Sequence, residues 1–257
     1  MNSKILNIIN KKNKQKIVCL TAYSKNFSKI LDKYCDVVLV GDSLANVLYG
    51  MKNTHKITID LMIRHAVSVK HGINKSLLVV DMPKNSYINK KEALKNARKI
   101  MKQVKCDAVK IESNNKNFEI IKELVKSKIP VMGHIGYTPQ FKKKFKPEGS
   151  SRLEEIKLIR EALNIEKAGA FSIVLECIVK KTADKITSKL KIPTIGIGSS
   201  FCCDGQILVT DDMLGLSGFY PKFLKKYENM NKIIEKSVQK YKKDVINKKF
   251  PTNKNSY

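Results

Sequence analysis

Four carboxylates, a lysine, a histidine and a serine of this 257-residue chain share one peculiarity: each lies at or near the C-terminal end of a short apolar run. Asp42 and Ser43 close VVLVGDS (37–43), Asp81 follows the apolar part of LLVVDMP (77–83), and Lys110 and Glu112 stand in AVKIES (108–113). His134 lies in IPVMGHIG (129–136) and Glu176 in FSIVLEC (171–177). Runs of this kind are built for burial, so a polar end needs a reason. For any one of these residues alone, a loop cap or a surface ion pair is the simpler account. As a set they say more, because four carboxylates converging on one lysine and one histidine repel one another unless a cation or a substrate organises them. Asp42 and Asp81 are hard oxygen donors with no cysteine or paired histidine beside them, which favours magnesium over zinc or copper. Magnesium usually takes one or two carboxylates and leaves its other positions to water and substrate. A 2-oxo acid can fill two of those through its carboxylate and keto oxygens. Its carbonyl is then polarised, and a proton on the neighbouring carbon becomes acidic enough for a side-chain base to remove.

The elements that must position these residues follow from the spacing of the runs. Besides the five above, IVCLTAY (17–23), IPTIGIG (192–198) and ILVTDDM (207–213) read as strands. All eight are near-continuously apolar, as expected of parallel strands covered on both faces. Stretches of helical period separate most of them, among them 90–104 and 151–169, the latter closing on a glycine. Strand and helix therefore alternate along the chain, which predicts an α/β fold, a (β/α)8 TIM barrel, ahead of a doubly wound open sheet. Residues 221–250 read as one or two C-terminal helices with a polar tail. With no linker or internal repeat, 1–257 reads as one domain. In a barrel the C-terminal ends of the strands meet at one rim, where active sites of this fold are built.

Composition narrows the alternatives. At 42% hydrophobic, the chain can bury a sizeable core. No apolar run approaches the roughly 18 residues of a membrane span, and the first sixteen residues lack the continuous apolar stretch of a secretory signal, so the expectation is a cytoplasmic protein without a membrane partner. The six cysteines show no metal spacing and read as free thiols. A net charge of +27 invites a polyanion-binding reading, but only four of the 50 basic residues are arginine (Arg64, Arg98, Arg152, Arg160). Arginine is the fork that clamps phosphate and reads guanine, so its scarcity argues against specific nucleic-acid recognition. The lysines are spread over nearly every segment, as an AT-rich codon bias would leave them. GIGSSFCCDG (196–205) is not G-x-G-x-x-G and carries no nucleotide-binding reading. His55, His65 and His71 read as surface or packing residues.

The series VGDSLANVLYG, LLVVDMPKNSY, AVKIES, PVMGHIGYTPQ, AGAFSIVLEC, IPTIGIGSSFCCDGQILVTDDMLGL and PKFLKKY resembles, in order and nearly without gaps from about residue 17 to residue 250, the motifs of the ketopantoate hydroxymethyltransferase family. GHIGYTPQ and CDGQILV are its most specific pieces. The resemblance implies a magnesium-dependent barrel of the phosphoenolpyruvate/pyruvate type. It implies transfer of a hydroxymethyl group from 5,10-methylenetetrahydrofolate to 3-methyl-2-oxobutanoate, giving 2-dehydropantoate on the route to pantothenate and coenzyme A. Carried over residue by residue, it makes Asp42 and Asp81 the magnesium carboxylates and brings Glu112 into the metal site through a coordinated water. Ser43 and Lys110 would bind the oxo acid, with Asp42 and Asp81 reaching it through the metal and His134 at its polar end. Glu176 would take the proton from carbon 3. A homo-oligomer is implied, a decamer in bacterial members.

Several positions depart from the family pattern: Ser24 in place of an aspartate after TAY, GIGSS (196–200) for GIGAG, KIESN (110–114) for KIEGG, and QFKKKFKPEGSSR (140–152) for a glycine-rich loop. None removes a metal ligand or the base. The lysine-rich loop reads as a solvated surface loop ahead of a lid over an anionic folate. Two further readings stand beside the transferase: a magnesium-dependent lyase or mutase acting on another 2-oxo acid, and a decayed enzyme with a basic polyanion-binding surface.

Overall fold

Each of the eight apolar runs contributes a parallel strand, and hydrogen bonding from each strand to the next closes a barrel in the order β1 to β8. The computed structural model describes residues 2–113, 117–142 and 145–257. Its strands are β1 (Ile17–Thr21), β2 (Val37–Val40), β3 (Leu77–Asp81), β4 (Ala108–Glu112), β5 (Val131–Gly136), β6 (Ser172–Glu176), β7 (Thr194–Ile197) and β8 (Gly205–Leu208). The helices are α1 (Ser3–Asn10), α2 (Lys25–Leu31), α3 (Leu44–Val47), α4 (Ile59–Lys70), α5 (Lys90–Val104), α6 (Phe118–Lys126), α7 (Arg152–Lys167), α8 (Lys180–Lys189), α9 (Thr210–Met213) and α10 (Met230–Ile246). The chain divides into two compact units, Met1–Val209 and Thr210–Tyr257, and the barrel lies wholly within the first.

Alternation along the strands sorts the barrel's side chains into two cores. Val38, Val40, Leu78, Val80, Val109, Ile111, Ile173 and Leu175 pack outward in the cluster shared with the helices. Val37, Leu39, Leu77, Val79, Ala108, Met132 and Val174 form the inner cluster, joined by Ile5 and Ile8 of α1. Helix α1 closes the N-terminal end of the barrel. Lys4 donates to Ser76 O (2.9 Å), Lys11 to Asp36 (2.6 Å) and Lys12 to Asp204 (2.8 Å), each partner standing just before a strand.

Two expected boundaries move. The last strand begins at Gly205, two residues earlier than the apolar run, and the TDDM that follows is the helical turn α9. A side chain at 205 would meet Ile17 O at 2.5 Å and Ile195 Cδ1 at 2.7 Å, so only glycine lets β8 enter between β1 and β7. In the second unit, 221–229 is irregular and a single helix, α10, follows, with Asn229 accepting from the Lys232 N–H at 3.3 Å as its cap. Helix α5 coincides with the periodic stretch 90–104, capped by Asn89, which accepts from Glu92 N–H. All six cysteines are free.

Candidate active site

The inward rows that carry the apolar core continue upward into charge. Leu77 and Val79 are followed on the same face by Asp81, Ala108 by Lys110 and Glu112, Met132 by His134, and Val174 by Glu176. Register then sets neighbours: Asp81 pairs with Lys110, Glu112 with His134, and Gly136 with Glu176. Asp42 and Ser43 arrive from the turn after β2.

All seven residues expected at the rim come together. Lys110 Nζ is 2.9 Å from Asp81 Oδ1. The Asp42 backbone N–H donates to Asp81 Oδ2 at 3.0 Å. His134 Nδ1 lies 3.4 Å from Lys110 Nζ and 3.7 Å from Glu112 Oε1, while its Nε2 is 3.1 Å from Glu176 Oε2, off the line of a hydrogen bond. Ser43 Oγ shares a 2.8 Å hydrogen bond with the Tyr23 hydroxyl. Depth separates the members. Asp81, Lys110, Glu112 and His134 side chains are all but sealed, whereas Glu176 is 18% exposed.

The electrostatics follow from that burial. Asp42 is pushed up to about 7, first by burial and then by the Asp81 charge, with Lys110 and Gln140 opposing. Glu112 rises well above the usual carboxylate range through burial and the Asp42 charge. Burial pulls Lys110 down, but Asp81, Glu112 and Asp42 outweigh it and hold the ammonium charged. His134 is held well below its ordinary value by burial and by Lys110, so the imidazole is neutral. Glu176 is pushed up to about 7 by burial, against the pull of Lys110.

The donor set fits a hard dication. When ionised, Asp42, Asp81 and Glu112 exceed the single charge of Lys110 by two, a surplus that a divalent cation balances. Among the described residues no three His, Cys, Asp or Glu side chains form a ready-made ligand cage. Magnesium does not need one, because one or two carboxylates suffice when water and substrate complete the shell. Asp42 and Asp81, hydrogen-bonded to each other through the Asp42 N–H, could hold it, with Glu112 one water further away.

Glu176 is fixed by its backbone. Its carbonyl accepts from Tyr137 N–H at 2.8 Å, which requires the chain to turn at Gly136 with φ +93°. A Cβ at 136 would lie 2.1 Å from that carbonyl oxygen. Cys177 next to it takes φ 52°, a conformation unusual for a side-chain-bearing residue, and donates its N–H to Ile197 O at 2.8 Å.

Sequence reasoning missed Gln140. Its side chain, 1% exposed, donates from Nε2 to Asp42 Oδ2 at 2.9 Å and to Met82 O at 3.0 Å, and its backbone N–H donates to Glu112 Oε2 at 3.0 Å. The buried Tyr87 hydroxyl donates to Gln140 Oε1. The available signal was an amide closing GHIGYTPQ just after a strand whose end was already suspected. His55, His65 and His71 stay outside the site: His55 Nε2 is 3.1 Å from Pro139 O, and His65 bridges Tyr23 O and the Tyr49 hydroxyl at 2.9 Å each. His71 is the C-cap of α4.

Among the described residues, the departures other than Gln140 touch none of the seven rim side chains directly through their own side chains. Ser24 stands at the N-cap position of α2, where its side chain makes no capping hydrogen bond. Ser199 donates to Ile178 O at 3.0 Å and Ser200 to Asp184, tying the loop after β7 to α8. Ser113 is buried, with its N–H on His134 O; Asn114 lies outside the described residues. In the lysine-rich loop, Lys142 reaches Gly136 O and Glu148, and Lys146 pairs with Glu154 at 3.6 Å; Lys143 and Lys144 lie outside the described residues. CDGQILV is structural: Asp204 accepts from Lys12, from Asn13 N–H and from both Thr194 donors.

Solved structures of known proteins share the barrel. A solved phosphoenolpyruvate phosphomutase from Streptomyces platensis subsp. rosaceus superposes with a TM-score of 0.65 at 9% identity, over 95% of this chain and 87% of that one. A phosphonopyruvate hydrolase in complex with oxalate and Mg++ gives 0.63 at 10% identity, over 99% and 93%. At such identities the likeness establishes the barrel alone. Sequence relatives are much nearer. The 3-methyl-2-oxobutanoate hydroxymethyltransferase of Pelagibacter ubique (strain HTCC1062) is 55% identical over 257 residues, 100% of both chains. That of Rhizobium etli (strain ATCC 51251 / DSM 11541 / JCM 21823 / NBRC 15573 / CFN 42) is 47% identical over 240 residues, 91% of this chain and 88% of its own. The ketopantoate hydroxymethyltransferase family model matches residues 3–253, and with relatives of this similarity along the whole chain, the protein belongs to that family of enzymes.

Proposed function

We propose that this enzyme transfers a hydroxymethyl group from 5,10-methylenetetrahydrofolate to 3-methyl-2-oxobutanoate to give 2-dehydropantoate, with Glu176 as the base. The observation that carries this reading is the contrast among the carboxylates. Asp42, Asp81 and Glu112 are sunk around Lys110, while Glu176 sits higher and partly open; its proton affinity lies near neutrality, as does that of the buried Asp42, so exposure is what separates the two. A base that must both take and release a proton works best when its pKa lies near the operating pH.

Asp42 and Asp81 would hold magnesium, with Glu112 orienting a water beside it. When bound, the cation withdraws charge from the keto oxygen of the substrate and acidifies the proton on carbon 3. The protein's own groups supply the rest. Lys110 offers a buried, permanently charged donor to the substrate's carboxylate, and Ser43, oriented by Tyr23, offers a hydroxyl. A neutral His134 whose Nδ1 faces the Lys110 ammonium keeps its proton on Nε2, which has no hydrogen-bond partner among the described residues and is left for the polar end of the substrate. Glu176 then removes the proton from carbon 3. The electron pair of that C–H bond forms the new bond to the folate's methylene carbon, whose two C–N bonds break; water supplies the hydroxyl, and the proton taken by Glu176 together with the second proton of the water goes to the two nitrogens of the departing tetrahydrofolate.

The same family membership supports a homo-oligomer working in the cytoplasm. Phe27, Ile30 and Tyr34 expose an apolar stripe along and just beyond α2, and no described helix is long and apolar enough to cross a membrane.

Proton NMR of 3-methyl-2-oxobutanoate in heavy water tests the assignment. Magnesium-dependent loss of the carbon 3 proton signal is expected for the unaltered enzyme, followed by 2-dehydropantoate once the folate is added. Glu176→Gln is expected to bind the oxo acid and to slow exchange about 10²- to 10⁴-fold. Exchange at the unaltered rate in that variant would refute Glu176 as the base.

A further inference from the structure

We propose that Gln140 is a positioning residue for the cation site: its amide and its backbone N–H hold the Asp42 and Glu112 carboxylates in place before the metal arrives. The inference rests on the magnesium reading above and adds to it a residue on neither the substrate nor the metal. Asp42 follows β2 and Glu112 ends β4, so β3 lies between them. Two ionised carboxylates so placed repel, and nothing in their own strands fixes the distance between them. Gln140 spans the gap. Nε2 donates to Asp42 Oδ2 and the main-chain N–H of the same residue donates to Glu112 Oε2, at 2.9 Å and 3.0 Å.

The chemistry asks for this residue type. Met82 O and the ionised Asp42 carboxylate accept, and both Nε2 protons go to them. The remaining amide atom, Oε1, accepts from the Tyr87 hydroxyl, which fixes which way the amide faces. Two donors and one acceptor are therefore all used. Glutamate of the same length would set a third carboxylate against Asp42 and a carbonyl, and methionine of similar volume has no donor. The placement of Gln140 is itself determined locally, because Phe141 and Lys142 N–H both donate to Thr138 O at 2.9 Å and close the turn after β5. Loss of partners that orient metal ligands typically weakens metal affinity about 10- to 100-fold.

The test is Mn2+ binding to the full-length chain, followed by the EPR signal of the free ion, for the unaltered protein, Gln140→Met and Tyr87→Phe. The unaltered protein is expected to bind one ion per chain. Gln140→Met is expected to bind the same number with Kd raised about 10- to 100-fold. Tyr87→Phe, which frees Oε1 but keeps the donors, is expected to raise Kd about two- to tenfold. A merely structural role would behave differently: the number of sites would fall with the folded fraction while Kd stayed unchanged, and that result overturns the proposal. Unchanged Kd in Tyr87→Phe overturns it should Gln140→Met fail to fold. If the unaltered chain takes up no Mn2+, the metal reading fails and this one with it; if it binds and both variants bind with the same Kd, the metal reading stands and this proposal fails.

Discussion

The pH dependence of proton exchange is the sharpest consequence of where Glu176 sits. Burial lifts its carboxyl from 4.5 to about 7, which corresponds to about 3 kcal/mol of disfavoured ionisation. The acting form of a base is the deprotonated one, so the rate must rise with pH, tenfold per unit below the inflection, and level off above it. Lys110 already pulls the inflection down, and a cation bound at Asp42 and Asp81 pulls it the same way. The limb is therefore expected between 4.5 and about 7, and nowhere above. The assay is kcat/KM for loss of the carbon 3 proton of 3-methyl-2-oxobutanoate in heavy water at saturating magnesium, from pH 4.5 to 8.5, with folding checked by circular dichroism at each end. A rate that falls as pH rises through this window would refute the reasoning, as would an inflection well above 7.

Two further outcomes concern stability. The folded-state proton affinities of Asp42 and Glu176, raised to about 7 from 3.8 and 4.5, favour the fold while those groups are protonated. That contribution is complete below the ordinary carboxylate range and is lost as pH rises through about 7. Metal-free protein is expected to lose thermal stability between pH 4.5 and 7.5, and added magnesium to raise Tm more at the upper end; a magnesium effect larger at pH 5 than at 7.5 would contradict it. Asp204→Ala removes the partner of Lys12, whose side chain is 9% exposed, and of three further donors. It is expected to cost about 3–5 kcal/mol in urea unfolding while exchange per folded chain stays unchanged.

How far the sequence reached depends on whether the determining contacts are local. Helix α5 was legible to the residue because its cap, Asn89, and its 3.6-residue period are both local. The rim residues were legible because a polar group ending an apolar strand is conspicuous against the run before it. Strand β8 shifted because Gly205 answers to Ile17 and Ile195 on neighbouring strands, which no local pattern reports. Gln140 was illegible for the same reason: its carboxylate partners are 98 and 28 residues away. Asp204 was visible as part of a motif, and only its contacts with the turn after α1 and with β7 show that it ties barrel segments together.

One geometric fact underlies both the stability and the proposed chemistry. The inward rows of β3 to β6 pass from aliphatic side chains at the level of α1 to charged ones at the opposite rim, so the packed interior is the floor of the site. A residue one step deeper on a row loses more solvent, and depth alone therefore spreads proton affinities that would be alike in water. Lys110, one inward step below Glu112 on β4, stays charged because Asp81 in the next strand faces it at 2.9 Å. Glu176, at the top of β6 with no lysine in contact, keeps its raised affinity. Exchanging those depths would leave the composition of the site unchanged and remove the division between the sealed groups around Lys110 and the one carboxylate open enough to meet a substrate. Strand register, set by the parallel ladder from Asp81 through Gly136, is what assigns each of them its depth.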